Sequence, residues 1–352
     1  MVINMRQTFI INDLHLGVKR SSGTTKATVK ALSEWQMSKF SDLLKLAEKK
    51  DLLINGDLFD RFEVDKSIEF EVFTHLHRWM QFNPDQYLYL CAGNHDLSTN
   101  SERTSSFENL CGYLSVVDTR QQLKVVAGNT ALHIPNAFTI VAHHANQTLF
   151  DEALNTVLAN HTDIKYVFLH ANLMSPFAEH SDHSLNVSEQ QLQTFEDKGV
   201  TLVFAHEHNR RRFKNAIVIG NQIPTSVSDC LDPNPSKQYA VLDDLGLNTF
   251  DFITLSDVFA KIPWTADTIP EPLFLRVEGE AEYEQAAEVV QLLAEIRRSS
   301  DAFVVTNAVQ VGKLNMTENV PNPTEHLNVL NLVLDNLPTH LHTRFKEVVN
   351  YA

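Results

Sequence analysis

The sequence predicts an α/β protein, a layered β-sandwich flanked by helices and followed by a smaller C-terminal α+β unit. Three observations carry that expectation. Short apolar, β-rich runs alternate with stretches of helical periodicity, as stacked layers of sheet and helix require. Several of these runs end in Asp, Asn, His or Gly, at the place where an α/β sheet presents its ligand crevice. Prolines at 263, 270 and 272 then interrupt the pattern before a shorter β-α-β alternation resumes.

The elements follow in order. Thr8-Phe9-Ile10-Ile11-Asn12-Asp13 is a buried strand with a polar end, and a loop runs from Gly17 to Thr25. Residues 27 to 49 space Leu32, Trp35, Phe40, Leu43, Leu44 and Ala47 as one face of a helix. Leu52 to Asn55 and Tyr87 to Cys91 are strands, with a helix between them over 66 to 81. Further strands are predicted at 138 to 142, 166 to 169, 201 to 204 and 216 to 219. This assigns residues 1–262 to a main domain and 270–315 to a cap. Two amphipathic helices then fill 322–352, each opened by a Pro-Thr pair whose threonine can cap it.

Composition narrows the function. The 352 residues hold 43% hydrophobic side chains in short runs, with nothing near the roughly 20 apolar residues of a membrane span. No membrane partner is therefore expected. The first residues lack the zones of a signal peptide, which points to a cytoplasmic protein. Three unevenly spaced cysteines, Cys91, Cys111 and Cys230, form no disulfide framework and are expected to be reduced and structural. The net charge of −15 argues against a protein that coats nucleic acid indiscriminately. It leaves room for a nuclease, because carboxylates gathered around cations contribute to the acidic total.

Five stretches carry the chemistry: Asp13-Leu14-His15, Gly56-Asp57-Leu58-Phe59-Asp60, Gly93-Asn94-His95-Asp96, His170, and His206-Glu207-His208. Each stands where a strand gives way to a loop. A pair of divalent cations about 3.5 to 4 Å apart needs a bridging carboxylate and a mixed shell of oxygen and imidazole. Asp-x-His and His-x-His leaving a strand send both side chains to one face, so a short segment supplies two ligands. Glycines 56 and 93 allow sharp turns close to such ions. For the fourth stretch, His143-His144 is a rival to His170. The longer β-like run before His170 and its interval to the last motif favour His170.

In order and spacing, over residues 8 to about 225, these stretches resemble the motifs of the calcineurin-like metallophosphoesterases. The resemblance implies that fold and two metal ions. Asp13, His15 and His208 would hold the first ion, Asn94, His170 and His206 the second, and Asp57 would bridge them. His95 would stay off the metals as general acid or transition-state stabiliser. Ala205 stands where the family's last motif usually has glycine, a small departure. Asp-Leu-His-Leu-Gly and Gly-Asp-Leu-Phe-Asp are most similar to the SbcD-type nucleases of double-strand break repair. That likeness implies a manganese-dependent DNA nuclease and an SbcC-type ATPase partner. The same metals also serve phosphatases and phosphodiesterases of small esters.

Asp60 and Asp96 could orient metal-bound imidazoles or cap helices. Lys19-Arg20 and Arg210-Arg211-Arg212 flank the first and last motifs, either as solvated loop charge or as a grip on DNA backbone phosphates. The final helices could pack on the cap or on a symmetry mate, as in a homodimer, or dock the ATPase.

Overall fold

The computed structural model describes residues 6–19, 26–97, 103–160, 163–175, 184–270, 272–299 and 304–312. Two six-stranded sheets lie face to face with helices on their outer sides, the α/β sandwich the sequence predicts. The first sheet contains β1 (Thr8–Ile11), β2 (Asp51–Asn55), β3 (Leu88–Cys91) and β4 (Leu123–Val126), all parallel. An antiparallel hairpin, β13 (Ser236–Asp243) and β14 (Gly246–Thr254), extends it beyond β1. The second sheet orders β11 (Arg211–Phe213), β12 (Ala216–Val218), β10 (Thr201–Ala205), β7 (Tyr166–His170), β6 (Phe138–Val141) and β5 (Ala131–Ile134), and β8 (Asn172–Leu173) pairs with β9 (Asn186–Val187) as a separate short ribbon.

Strand alternation explains the layers. Ile10, Leu53, Tyr89 and Cys91 face inward and meet Ile140, Phe168, Val203 and Ile217 of the second sheet. Their neighbours Phe9, Ile11, Leu52, Ile54, Leu88 and Leu90 face outward into a core shared with α1 (Lys26–Leu46), α2 (Lys66–Phe82) and α3 (Ser106–Val117). Val167, Leu169, Leu202 and Phe204 do the same under α4 (Gln147–Asn160) and α5 (Glu189–Asp197). Both faces of each central strand are thus buried, which is why these strands read as unbroken apolar runs. The three cysteines are free and buried, as expected.

The cap is a three-stranded sheet of β15 (Phe259–Pro263), β16 (Phe274–Ala281) and β17 (Val304–Val311), with α6 (Ala286–Ser299) on it. Its β-α-β path is the one predicted, with β16 running on to Ala281 before the helix begins at Ala286, and with one correction. The division at 262 falls too late, since β15 pairs in parallel with β16 and belongs to the smaller sheet. Phe274 joins the two units, being fully buried in the core beneath α1 and ring-to-ring with Trp35 at 6.3 Å. The helices predicted over 322–352 lie outside the described residues. Among the described residues, no helix is long and apolar enough to cross a membrane.

Candidate metal centre

The site is built where β1, β2, β3, β7 and β10 end together. The chain leaving β1 continues to pair with that leaving β2: Asp13 N donates to Gly56 O at 3.1 Å, and His15 N to Asp57 O at 3.0 Å. Alternation buries Leu14 and Leu58 in the core and turns Asp13, His15 and Asp57 the other way. Asp13, His15, Asp57 and His206 all adopt positive φ, of 49°, 45°, 46° and 84°. That region is unfavourable for side chains with a Cβ. Gly56 is also left-handed, at +87°, and a Cβ there would meet His170 Nδ1 at 2.0 Å. Gly93 serves close approach rather than a left-handed turn, because its Cβ would stand 2.2 Å from Asp57 Oδ1.

Every residue assigned to the metals converges here. Ligand atoms of Asp13, His15 and His208 lie within 4.8 Å of one another, and so do those of Asp57, His170 and His206. A third group of this kind joins His15, Asp57 and His95, so Asp57 links the two ends of the cluster. Asn94 Oδ1 completes the second group, 2.9 Å from His170 Nε2 and 3.0 Å from His206 Nδ1. Asp57 Oδ2 is 3.3 Å from His170 Nε2, 3.8 Å from His15 Nε2 and 3.9 Å from His95 Nε2. His143, the rival, stays outside, packing its ring edge-on against His170 at 6.2 Å. Buried His144 turns back to the carbonyl of Ala142.

The donor set fits a pair of divalent cations. Ring nitrogens of His15 and His208 face each other at 3.1 Å, and His170 Nε2 stands 3.3 Å from Asp57 Oδ2. Ligands about 2.1 Å from a common ion stand within this range of one another. Burial lowers His15, and burial with the charge of His170 takes His206 down to about 4, so both offer neutral rings with a free lone pair. Burial opposes charge on His170 as well, yet Asp57 outweighs it and lifts the imidazole to about 9. Buried Asp57 therefore demands positive charge in contact with it, from an imidazolium or a cation.

Around this shell, the buried carboxylate of Asp96 accepts from the amides of Gly93, Phe59 and Leu58. It fastens the second motif to the third. Burial and the Asp57 charge push its carboxyl up to about 7, against the pull of those amides. The Asp60 carboxylate turns to Arg61, and it is the Asp60 carbonyl that accepts from His95 Nδ1 at 2.7 Å. Of the basic residues, Lys19 pairs with Asp65 and Arg211 holds Glu207 through two nitrogens. Arg210 is tied to Gln238 and Asn234, whereas Arg212 is exposed. Arg20 lies outside the described residues.

Several supporting residues escaped the sequence reading. Asp229 accepts from His208 Nδ1 at 2.9 Å; burial would raise its carboxyl, but His208 and the Thr225 amide hold it well below the usual carboxylate range. Gln222 accepts from Asn12 N and donates to Gly220 O, fixing the segment before Asp13. Lys237, only 2% exposed, donates to His208 O at 3.0 Å. The available signal was a polar run, Asn221, Gln222, Thr225, Asp229, set among apolar residues soon after the last motif.

Among solved structures, the chain is similar to a dimetal phosphatase from Danio rerio at 11% identity and TM-score 0.38, with 71% of this chain and 100% of that one covered. It is similar to a phosphopantetheinyl hydrolase from Mycobacterium tuberculosis at 11% identity and TM-score 0.36, covering 61% and 89%. A cold-active protein-tyrosine phosphatase from a psychrophilic Shewanella species matches at 11% identity and TM-score 0.34, covering 70% and 78%. A search of curated proteins gives no significant match. The sequence profile of the calcineurin-like phosphoesterases matches residues 7–210, more than half of the chain. That span runs from β1 through the last metal-ligand motif, so the chain belongs to the calcineurin-like phosphoesterase family and is a hydrolase.

Proposed function

We propose that the protein is a two-metal DNA nuclease of the SbcD kind, hydrolysing phosphodiester bonds with manganese. The observation that carries the phosphoesterase chemistry is the linkage of two ligand groups through Asp57. The DNA reading is supported by Asp-Leu-His-Leu-Gly and Gly-Asp-Leu-Phe-Asp, by the β-α-β cap, and by an accessible rim. The side chains of His95 and His208 are 41% and 29% exposed at that rim.

Asp13, His15 and His208 would hold one ion, Asn94, His170 and His206 the other, with Asp57 between. When bound, the pair supplies Lewis acidity that lowers the pKa of water and neutralises charge developing on phosphate oxygens. The chain's own residues position the rest. His95 Nδ1 donates to the Asp60 carbonyl, which fixes the ring and leaves Nε2 directed toward the ligand cluster. In its imidazolium form that nitrogen donates to a phosphoryl oxygen or to the leaving group. Asp96 keeps His95 in register by binding the amides on both sides of the cleft.

A second reading, hydrolysis of nucleotides or other small phosphate esters, is favoured by the engagement of Lys19, Arg210 and Arg211 with other side chains. One assay separates the two. The pure protein with Mn²⁺ is incubated with end-labelled duplex DNA, single-stranded DNA and a chromogenic phosphodiester. Cleavage of either DNA supports the nuclease; turnover of the small ester with both DNAs intact replaces it by the second reading. An SbcC-type ATPase partner, a homodimer and a cytoplasmic place of action go with the nuclease reading. Co-purification and sedimentation test the two associations.

A further inference from the structure

His208 is gripped at two points by residues beyond the last motif. Its carbonyl accepts from Lys237 Nζ at 3.0 Å and from Asn221 N at 3.2 Å. Its ring is held by Asp229, which stands 21 residues further along the chain, in a 3-10 turn over Ser228–Leu231, and is 3% exposed. The two carboxylate oxygens of Asp229 do different things. Oδ1 takes His208 Nδ1 at 2.9 Å. Oδ2 takes four donors: Thr225 N at 2.7 Å, Thr225 Oγ1 at 2.9 Å, and Ser226 N and Asn221 Nδ2 at 3.2 Å each.

A carboxylate in this setting only accepts. In the neutral ring that a metal ligand must be, the one hydrogen therefore sits on Nδ1, and Nε2 keeps its lone pair. Nε2 is the atom that faces His15 Nε2 at 3.1 Å, inside the group shared with Asp13. The four donors on Oδ2 stop the carboxylate from rotating, so the ring direction is fixed along with the tautomer. We infer that Asp229 is a positioning residue for the first metal, setting both the tautomer and the aim of His208. This rests on the ligand assignment given under Proposed function.

An amide cannot replace this carboxylate. In Asp229→Asn the four donors of the turn claim the amide oxygen, so the NH₂ group is turned toward Nδ1. The ring must then accept there and carry its hydrogen on Nε2, where the metal should bind. A purely structural Asp229, which does no more than close the 225–229 turn, makes the opposite prediction: affinity follows the turn and ignores the ring.

Calorimetric titration of Mn²⁺ into metal-free protein decides between them, with Thr225→Val as the variant that loosens the turn without touching His208. Wild type is expected to take two ions. Asp229→Asn should keep one at wild-type affinity and bind the other about 10- to 100-fold more weakly, while Thr225→Val keeps both. Two wild-type sites in Asp229→Asn would overturn the inference, as would an equal loss in Thr225→Val. If wild type itself fails to bind two ions, the ligand assignment falls and takes this inference with it. Should Asp229→Asn not fold, the ring ¹⁵N spectrum of wild-type protein loaded with Zn²⁺ gives the answer alone. A proton on His208 Nδ1 supports the inference, and a proton on Nε2 refutes it.

Discussion

Gly56 shows how little room the site leaves. A methyl group there would lie 2.0 Å from His170 Nδ1, and the backbone is already in the left-handed region. Gly56→Ala should therefore displace His170 and cost about tenfold or more in metal affinity by the scale of disturbed ligand positioning. Metal analysis after dialysis checks it, and full retention of two ions would contradict it. His95→Asn should do the reverse, keeping both ions while turnover falls by about 100-fold or more. Normal turnover at full metal occupancy would remove His95 from the chemistry. At this scale the clustered residues were legible in the sequence because only a few residue types suit such ions, and those types stand in order at strand ends. Asp229 and the Asp60 carbonyl were not. The first is brought to His208 by the return of the chain into β13, and the second is a backbone atom, which carries no mark in a sequence.

At the scale of elements, helix starts decide where the outer layers sit. Helix α3 opens with a capping box: Ser105 Oγ accepts from Glu108 N at 3.0 Å, and Glu108 Oε2 from Ser105 N at 2.7 Å. Ser105→Ala should lower stability by about 1 kcal/mol, read by urea unfolding, with metal content unchanged. Helix α5 starts the same way at Ser188 and Gln191. Both boxes are written in the sequence as Ser-x-x-Glu and Ser-x-x-Gln, yet α3, α4 and α5 are missing from the predicted elements. The apolar faces of α4 and α5 are narrow: α4 buries Phe150, Leu154 and Val157, and α5 just Leu192 and Phe195. The central strands and α1 were legible because burial on both faces, or along a long stripe, leaves a continuous apolar record. The β13–β14 hairpin mixes buried and exposed positions at one edge of the sheet, and its strands blur into loop composition.

For the whole molecule, the junction of body and cap turns on one side chain. Phe274 is buried in the body's core while the adjacent Leu275 and Val277 build the cap's own. Phe274→Ala should cost about 3 to 5 kcal/mol and separate the unfolding of the two units; a single cooperative melt at wild-type temperature would contradict that. The junction hid from the sequence because Phe259 to Pro263 reads as the end of one pattern, although its partner strand lies beyond the prolines. Metal ions should also act globally. With free Mn²⁺ a thousandfold above the dissociation constant, each site adds about 4 kcal/mol, so chelation should lower the melting temperature sharply. An unchanged melt with and without chelator would argue against bound cations.

The left-handed backbone at Asp13, His15, Asp57 and His206 bears on the molecule's history as much as on its chemistry. Four side chains are kept at positions where glycine would fold more comfortably, so the ligand set opposes the fold that carries it. In chelator, His15→Gly should outlast His15→Ala by about 1 kcal/mol, because glycine relieves the strain that alanine retains. A descendant released from catalysis could drift toward glycine at these positions, losing its metals while its scaffold grew sturdier.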